Sequence, residues 1–296
     1  MRVLIVGCGY VGTALGVELM RLGHQVSGVR RSREGVAEVR TSGMEPIQAD
    51  VSEATGCRGL PGSFDWIVNT VSAGRTGLDS YRKVYLEGTR NLIDRFGAEL
   101  PAKYVYTSST GVYGQQDGSS VTEQSPTEPC HDTGNVLVET EQMLSTAFQE
   151  KTFPAVTLRV AGIYGPGRGY WLRRFLNDQA RQEDGGGRAV NMIHREDLVS
   201  AIIAALERAT PGQVYNVVDN HPTTVPEIYA WLSQTTGRPL PPTSGVPEPV
   251  GGTRMTTHKR VSNRKLIETL NWQPKYPSFR EGYSAELATA GCISKK

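Results

Sequence analysis

Three glycines near the start of the chain have the spacing of a phosphate-binding loop. Gly7, Gly9 and Gly12 follow an apolar run at residues 3–6, and helical periodicity begins at Thr13. An uninterrupted apolar run is typical of a strand buried on both faces of a parallel sheet. In G-x-G-x-x-G the first glycine permits a tight turn, the second lets backbone approach a pyrophosphate, and the third packs helix on strand. The pattern predicts a dinucleotide site at the start of a helix, whose N–H groups and dipole favour an anion.

Two arginines end the second predicted strand, which covers residues 25–29. In such folds a carboxylate about 20 residues beyond the glycines binds the ribose 2′-OH of NAD, whereas arginine accommodates a 2′-phosphate. Arg30 and Arg31 stand at that position with no acidic residue beside them. The sequence therefore favours NADP as cofactor, with NAD as the alternative. Tyr10 and Val11, inside the glycine loop, are predicted to line the same site.

Two more strand ends are predicted to border the cofactor. Asp50 and Val51 follow a strand at residues 44–49, where a side chain can border the adenine. Val71 ends a fourth apolar strand at residues 64–71, and Ser72 begins a run of small residues. Small residues there would let a ribose lie against the backbone.

Composition excludes several classes of function. The 296 residues include 32 basic and 30 acidic side chains, and no basic run of nucleic-acid type is present. Neither nucleic acid nor an anionic membrane surface is therefore expected as a partner. No segment has the roughly 18 consecutive apolar residues that span a bilayer, and the first strand leaves no room for a signal peptide. We expect a cytoplasmic protein that acts on a small molecule.

The cysteines give no metal or disulfide pattern. They are widely scattered and form no C-x-x-C pair: Cys8, Cys57, Cys130 and Cys292. Four reduced thiols in a cytoplasmic protein are the simplest interpretation, and no metal site is predicted.

Strands and helices alternate along the first half of the chain. Strands are predicted at residues 3–6, 25–29, 44–49, 64–71, 103–110 and 155–160, and helices at 13–22, 81–96 and 136–149. This alternation predicts an α/β fold with a parallel sheet. Residues 114–132 are predicted to be a loop near the carboxyl ends of the strands, where ligands bind in open sheets.

The pattern loosens after residue 160. It predicts a turn at 164–168, a flexible glycine tip at 185–187, a helix at 197–208 and a strand at 213–218. A proline-rich extended connection at 239–249 and helices at 262–270 and 279–290 follow.

Several motifs in order resemble one enzyme superfamily. They are T-S-S-T-G-V-Y-G at 107–114, L-E-G-T-R-N-L at 86–92, L-R-V-A-G-I-Y-G-P-G at 158–167, I-H-R-E-D-L at 193–198, Y-N-V at 215–217 and K-R-V-S-N-R-K at 259–265. Together they resemble the extended short-chain dehydrogenases/reductases, the NAD(P)-dependent sugar epimerases and dehydratases. The resemblance implies a Rossmann-type doubly wound parallel sheet with a smaller C-terminal substrate-binding domain. We place the first domain at 1–160 plus about 189–220, and the second at about 161–188 plus 221–296.

The resemblance implies catalytic positions that this sequence fills unusually. Ser109 matches the family's substrate-orienting residue on the fifth strand. A Tyr and a Lys in Y-x-x-x-K then exchange a proton with the substrate, since a lowered phenol pKa suits catalysis near neutrality. In the family this pair precedes a helical Glu. Counting back from Glu141 gives Leu137 and Thr133 instead.

The alternative register gives no such pair either. Counting back from Glu139 yields Asn135 and His131, and no lysine lies between Lys103 and Lys151. The chain therefore resembles an atypical branch of the superfamily that lacks the usual Tyr-x-x-x-Lys.

Three side chains are candidates for the missing acid–base group. His131 titrates near neutrality without help, whereas Tyr113 and Tyr164 are equally expected to pack in the core. Tyr164 is also a candidate substrate-binding residue, as is Arg168, whose guanidinium can bind a phosphate or carboxylate. His194 with Asp197 is expected to be a structural pairing at a helix start.

Two classes of function remain open at this point. The first is an oxidoreductase or epimerase acting on a small polar, nucleotide-sugar-like substrate, in which substrate or water could also supply the proton route. The second is a catalytically inactive NADP(H)-binding sensor or scaffold. By analogy with relatives, a homodimer is an open alternative to a monomer.

Overall fold

The computed structural model describes residues 1–74, 77–182, 187–243 and 257–289. The strands are β1 (Arg2–Val6), β2 (Gln25–Arg30), β3 (Glu45–Gln48), β4 (Trp66–Asn69), β5 (Lys103–Ser109), β6 (Ser120–Val121), β7 (Ala155–Val160), β8 (Gly162–Tyr164), β9 (Ala189–Val190), β10 (Met192–His194), β11 (Val214–Val217), β12 (Thr223–Thr224) and β13 (Arg260–Val261). The helices are α1 (Tyr10–Arg21), α2 (Arg33–Thr41), α3 (Ala54–Arg58), α4 (Leu78–Tyr81), α5 (Gly88–Phe96), α6 (Asp132–Lys151), α7 (Tyr170–Leu176), α8 (Arg195–Arg208), α9 (Val225–Thr236), α10 (Arg264–Leu270) and α11 (Phe279–Thr289).

Seven strands form the central sheet, in the order β11-β7-β5-β4-β1-β2-β3. β1 pairs in parallel with β2 on one side and with β4 on the other. The chain order therefore reverses beside β1, and ligands bind outside the carboxyl ends of strands at such a switch point. The predicted α/β class with a doubly wound parallel sheet is confirmed.

Contacts along the backbone divide the chain into two compact units. The first unit comprises Met1–Val112, Asp132–Arg159 and Val199–Tyr215, and the second comprises Tyr113–His131, Val160–Leu198 and Asn216–Lys296. The domain limits expected from sequence remain a prediction.

Each unit has its own apolar core. In the first, residues of the sheet pack against the helices that follow it, among them Leu4, Ile67, Leu92, Tyr104 and Phe153. In the second, aromatic residues dominate, among them Tyr164, Trp171, Phe175, Tyr229 and Tyr283. Successive side chains along β1, after Arg2, and along β4 are all buried, so both faces of these two strands are covered. The apolar runs in the sequence predict this.

The helix that follows β4 differs from its prediction. The helical segment begins at Leu78, before the predicted residue 81, and α4 and α5 are joined by a π-helical turn at Arg82–Glu87. α2, α3, α7 and α9 had no counterpart in the sequence-based assignment. Much of the predicted glycine tip and residues 244–249 of the proline-rich connection lie outside the described residues. No helix in the described part of the chain has both the length and the apolarity needed to span a bilayer.

Candidate functional site

The glycine loop turns tightly onto the end of β4. Gly7 has φ +95°, in the left-handed region that favours glycine, and a Cβ there would lie 2.8 Å from the backbone nitrogen of Val71. The backbone N–H of Gly9 donates to the carbonyl of Gly7 over 2.7 Å. Thr70, which the sequence did not single out, donates its hydroxyl to the same carbonyl over 2.9 Å. The loop is therefore clamped between β1 and β4 in a fixed shape.

The other two glycines serve different purposes. A Cβ on Gly12 would lie 2.5 Å from the carbonyl oxygen of Gly7, so only glycine lets α1 approach the loop this closely. A Cβ on Gly9 would meet only the guanidinium of Arg30, at 3.5 Å. The face above Gly9 is thus open, and it lies at the N-terminus of α1, whose first turn carries no acidic residue. An open backbone face at the N-terminus of a helix fits a pyrophosphate, and Tyr10 and Val11 form the first turn of that helix.

The side chain of Arg30 contacts the glycine loop, whereas that of Arg31 does not. The Arg30 Nη1 donates to the carbonyl of Cys8 over 2.7 Å, and its Nη2 lies 3.4 Å from the Glu38 carboxylate. Arg31 is exposed, and its carbonyl accepts from the Gln48 amide over 3.2 Å. Arg30 therefore lies within contact of the glycine loop, while Arg31 is free of the loop and faces solvent.

Burial makes the loop cysteine a packing residue. Desolvation raises the pKa of the Cys8 thiol to about 12, which keeps it protonated at neutral pH. The small side chain fills the space under the loop, since a Cβ on Gly28 would lie 2.7 Å from its sulfur.

The remaining expected cofactor residues lie at two strand ends of the first unit. The Asp50 carboxylate accepts from the Ser52 N–H over 3.0 Å and from the Ser52 hydroxyl over 2.7 Å, which fixes the turn. Val51 belongs to the apolar core, and Val71 packs against the same cluster. Ser72 is exposed, and its hydroxyl accepts from the Gly74 N–H over 3.4 Å. Of these, Val71 is brought directly against the glycine loop.

A buried ion pair anchors α6 to the sheet. Arg159 Nη2 lies 2.7 Å from the Glu141 carboxylate, and both side chains are 8% exposed. The Ser108 hydroxyl donates to the same carboxylate over 2.6 Å. Glu139, by contrast, is exposed and pairs with Arg82 on the surface at 3.1 Å.

This anchoring shows which of the two glutamates faces the sheet. The inward carboxylate is that of Glu141, so Leu137 and Thr133, four and eight residues earlier, share its face of the helix. Leu137 is buried and Thr133 is half-buried. Ser109 follows Ser108 at the end of β5, and its hydroxyl oxygen accepts from the Gly111 N–H over 3.0 Å. α6 thus presents Thr133 and Leu137 on the face that Glu141 anchors to the sheet. That these are the family's Tyr and Lys positions stays a prediction.

The second unit contains the other candidate acid–base groups. Tyr113 is fully buried and donates its hydroxyl to Asn216 Oδ1 over 2.8 Å. Tyr164 is buried and donates to the carbonyl of Ser278 over 3.2 Å, and burial raises its pKa above the usual range. Both hydroxyls are engaged inside the unit. His131 is half-buried, just before α6 begins, and Arg168 is exposed in a tight turn closed by backbone bonds with Gly165.

His194 and Asp197 both contact Tyr276 within the second unit. The structural pairing expected between them stays a prediction. Asp197 accepts from the backbone N–H groups of Lys275 and Tyr276 over 2.6 and 3.0 Å. His194 lies against the Tyr276 ring with centroids 3.9 Å apart. Burial lowers the pKa of His194 to about 4, so the imidazole is neutral at pH 7.

One buried cation had no sequence prediction. Lys259 is 4% exposed and donates to the Tyr113 carbonyl over 2.8 Å and to the Thr257 hydroxyl over 2.6 Å. Desolvation lowers its pKa to about 8. The K-R-V-S-N-R-K motif was the available signal, but the sequence does not reveal which of its residues is buried.

Comparison with known proteins finds a matching family model, similar proteins and similar solved structures. Residues 3–218 match the model of the NAD dependent epimerase/dehydratase family. Protein YeeZ of Escherichia coli K12 is 31% identical over 223 residues, which are 73% of this chain and 77% of that protein. The 3-diazoavenalumate denitrifying reductase of a Streptomyces species is 25% identical, with 97% of this chain and 100% of that protein covered. The solved structure of UDP-glucuronic acid 4-epimerase from Bacillus cereus in complex with NAD superposes with a TM-score of 0.80 at 18% identity, covering 96% and 97% of the two chains.

Proposed function

The chain belongs to the NAD dependent epimerase/dehydratase family, and we propose that it is an NADP(H)-dependent oxidoreductase or epimerase of a small polar, nucleotide-sugar-like substrate. The observation that carries the proposal is the open backbone face over Gly9, with the Arg30 guanidinium at its border. The named activities of two similar proteins, a reductase and a sugar-nucleotide epimerase, support the reaction class.

The residues of the first unit would hold the dinucleotide as follows. The N–H groups at the start of α1 and the bare backbone of Gly9 would receive the pyrophosphate. Asp50 and Val51 would border the adenine, and Val71 and Ser72 would flank a ribose. When bound, the cofactor would supply hydride transfer to or from a carbon of the substrate. Ser109, held by its bond to the Gly111 N–H, would donate a hydrogen bond to the substrate oxygen.

Arg30 supports NADP over NAD. A guanidinium binds a phosphate through charge-assisted bonds in a fork, and a 2′-phosphate is the group that distinguishes the two cofactors. Arg30 lies against the glycine loop, while Arg31 is exposed one residue later. Both can approach a phosphate at the end of β2.

Replacing Arg30 tests this cofactor assignment. A charged hydrogen bond is worth about 1.5–3 kcal/mol, so Arg30→Ala should weaken NADPH binding about 10- to 100-fold and leave NADH binding nearly unchanged. Fluorescence titration of the purified protein with each cofactor measures both. Arg30→Lys is the matched control, which should retain part of the preference because it keeps the charge. Equal affinities for the two cofactors before and after substitution would contradict the assignment.

The second candidate function is a non-enzymatic NADP(H) sensor or scaffold. The observation that favours it is the inward face of α6, which presents Thr133 and Leu137 at the positions expected for a tyrosine and a lysine. Absorbance of bound NADPH, followed against panels of sugar nucleotides, aldehydes and ketones, separates the two. Oxidation of the cofactor by any member supports the enzyme, and tight binding with no oxidation across the panels supports the sensor.

We propose that the second unit contacts the substrate through Arg168, which is exposed. Tyr164, His131 and Tyr113 stay candidates from the sequence, and the hydroxyls of both tyrosines are bonded inside the second unit.

We also propose a homodimer in solution. Light scattering coupled to size-exclusion chromatography tests the assembly, with a mass near that of a single chain as the contrary result.

A further inference from the structure

The π-helical turn at Arg82–Glu87 places a tyrosine on the segment that packs against α6 in the first unit. A π-helical turn is rare and often occurs at functional sites, because its extra residue shifts the side chains that follow. Tyr85 is inside this turn, and the centroid of its ring lies 4.9 Å from the ring centroid of Tyr81. The turn packs against α6, and Arg82 is joined to Glu139 of that helix. The turn is therefore fixed beside the helix whose inward positions are Thr133 and Leu137.

Contacts with the sheet fix which side of β5 the phenol occupies. Tyr85 is half-buried against the first unit's core cluster, to which Tyr106 belongs and against which Val71 also packs. The proximity of Tyr85 contributes to raising the pKa of the buried Tyr106. Since alternate residues of a strand share a face, Tyr106 and Ser108 lie on the same side of β5. Tyr85 is thus on the face to which Glu141 anchors α6.

The direction of the helix sets which way the Tyr85 ring leans. The helical segment starts at Leu78, shortly after the carboxyl end of β4. Side chains of a helix tilt toward its N-terminus. The Tyr85 ring therefore leans back toward the start of the helical segment, which follows the carboxyl end of β4.

Two other phenols, both on β5, are less suited. Tyr104 is fully buried and donates nothing to solvent, since its hydroxyl contacts the Asn69 amide at 2.9 Å and burial raises its pKa. Tyr106 is also fully buried. Tyr85 combines partial exposure with packing that holds its ring in place.

We propose that Tyr85 is the proton-transferring phenol of this enzyme and replaces the tyrosine that relatives present from α6. The proposal rests on the proposed function. In the reductive direction a carbonyl carbon of the substrate accepts a hydride from NADPH, and the Tyr85 hydroxyl gives its proton to the carbonyl oxygen. The carbonyl is reduced to an alcohol by two electrons, NADPH is oxidised to NADP⁺, and the phenolate recovers a proton from water. Ser109 orients the carbonyl by a hydrogen bond.

The test uses NADP⁺ itself as the probe. A positive nicotinamide within about 4–6 Å of a phenol favours the phenolate. The near-ultraviolet tyrosinate absorbance of the NADP⁺-loaded protein should therefore rise at a pH at least about one unit lower than in the free protein. Tyr85→Phe should abolish this early transition, and Tyr81→Phe, the matched control four residues away, should retain it. A transition that persists in Tyr85→Phe, or that is absent from the wild type with NADP⁺ bound, would overturn the proposal.

Binding and turnover separate its failure from that of the proposed function. Tyr85→Phe keeps the packing of the ring, so NADPH should bind with unchanged affinity. With any carbonyl substrate identified by the panels, the kcat of Tyr85→Phe should be about 100-fold or more below that of the wild type, because a general acid usually contributes that much. Unchanged kcat overturns the role of Tyr85 alone. Failure of the wild type to bind either cofactor overturns the proposed function and this inference with it.

Discussion

The glycine loop and the start of α6 both belong to the first unit, but different interactions fix their positions. At the loop, backbone geometry restricts the residue type. Gly7 has φ +95°, and the close approach of backbone at Gly12 leaves no space for a side chain. At α6, the Glu141–Arg159 pair holds the helix, while the residues that face inward beside it are Thr133 and Leu137.

The difference shows that anchoring and chemistry are separable. A buried ion pair with the Ser108 hydroxyl positions the helix whether or not a tyrosine stands two turns before it. Replacing Gly7 or Gly12, in contrast, would alter the shape of the loop and its binding surface together. A catalytic group can therefore move to a neighbouring element, as proposed for Tyr85, without disturbing either the sheet or the loop.

Breaking the anchor of α6 should have the largest effect. Arg159→Met leaves the Glu141 carboxylate buried without its partner, which should cost about 3–5 kcal/mol of stability. Chemical denaturation followed by circular dichroism measures the loss. The double variant Arg159→Met with Glu141→Met should recover much of it. Arg82→Met, which removes an exposed partner of Glu139, is the control and should change stability by less than about 1 kcal/mol. Equal losses for Arg159→Met and Arg82→Met would show that the buried pair does not anchor the helix.

Filling the open face of the loop should affect binding without affecting folding. Gly9→Ala adds a methyl group where only Arg30 is near, so the denaturation midpoint should not move. The same methyl occupies the expected pyrophosphate position, and overpacking of about 1–3 kcal/mol predicts roughly 5- to 150-fold weaker NADPH binding. Gly59→Ala, in ordinary backbone geometry with open surroundings, is the control. Unweakened binding in Gly9→Ala would place the dinucleotide elsewhere.

The smallest effect concerns the acid beside Arg30. Glu38 is exposed and lies 3.4 Å from the Arg30 guanidinium, and an exposed pair is worth about 0.2–1 kcal/mol. Glu38→Gln should release Arg30 and tighten NADPH binding about twofold, within the range that such a pair permits. Glu18→Gln, which removes the similar exposed pair with Arg21 on α1, should leave NADPH affinity unchanged. Weaker binding in Glu38→Gln would mean that Glu38 positions Arg30 rather than competing for it.

The sequence was most informative where the determinants are local. The loop glycines, the buried runs of β1 and β4 and the alternation of strands with helices depend on neighbouring residues, so pattern alone predicts the sheet. The register of α6 depends on contacts between residues 18 and 33 positions apart, from Glu141 to Arg159 and to Ser108. No local pattern shows whether Glu139 or Glu141 faces the sheet. In the structure Glu139 is exposed and Glu141 is buried.

Other features of the structure could not be predicted from the local sequence pattern. A π-helical turn arises when packing inserts a residue into a helix, and its sequence looks like that of any amphipathic helix. The burial of Lys259, and of the hydroxyls of Tyr113 and Tyr164, likewise depends on residues distant in the chain. α2 is short and charged, with only Gly35 and Val39 buried, so it offers few apolar residues from which a helix could be predicted.

Binding of the two reduced cofactors to the wild-type protein tests the central claim most directly. Calorimetric titration with NADPH and with NADH, at one fixed ionic strength, gives the affinity and the number of sites for each. The account predicts one saturable site per chain and tighter binding of NADPH by about tenfold, as one arginine–phosphate contact provides. Absence of binding by both cofactors would contradict the dinucleotide site itself, and tighter binding of NADH would contradict the role assigned to Arg30.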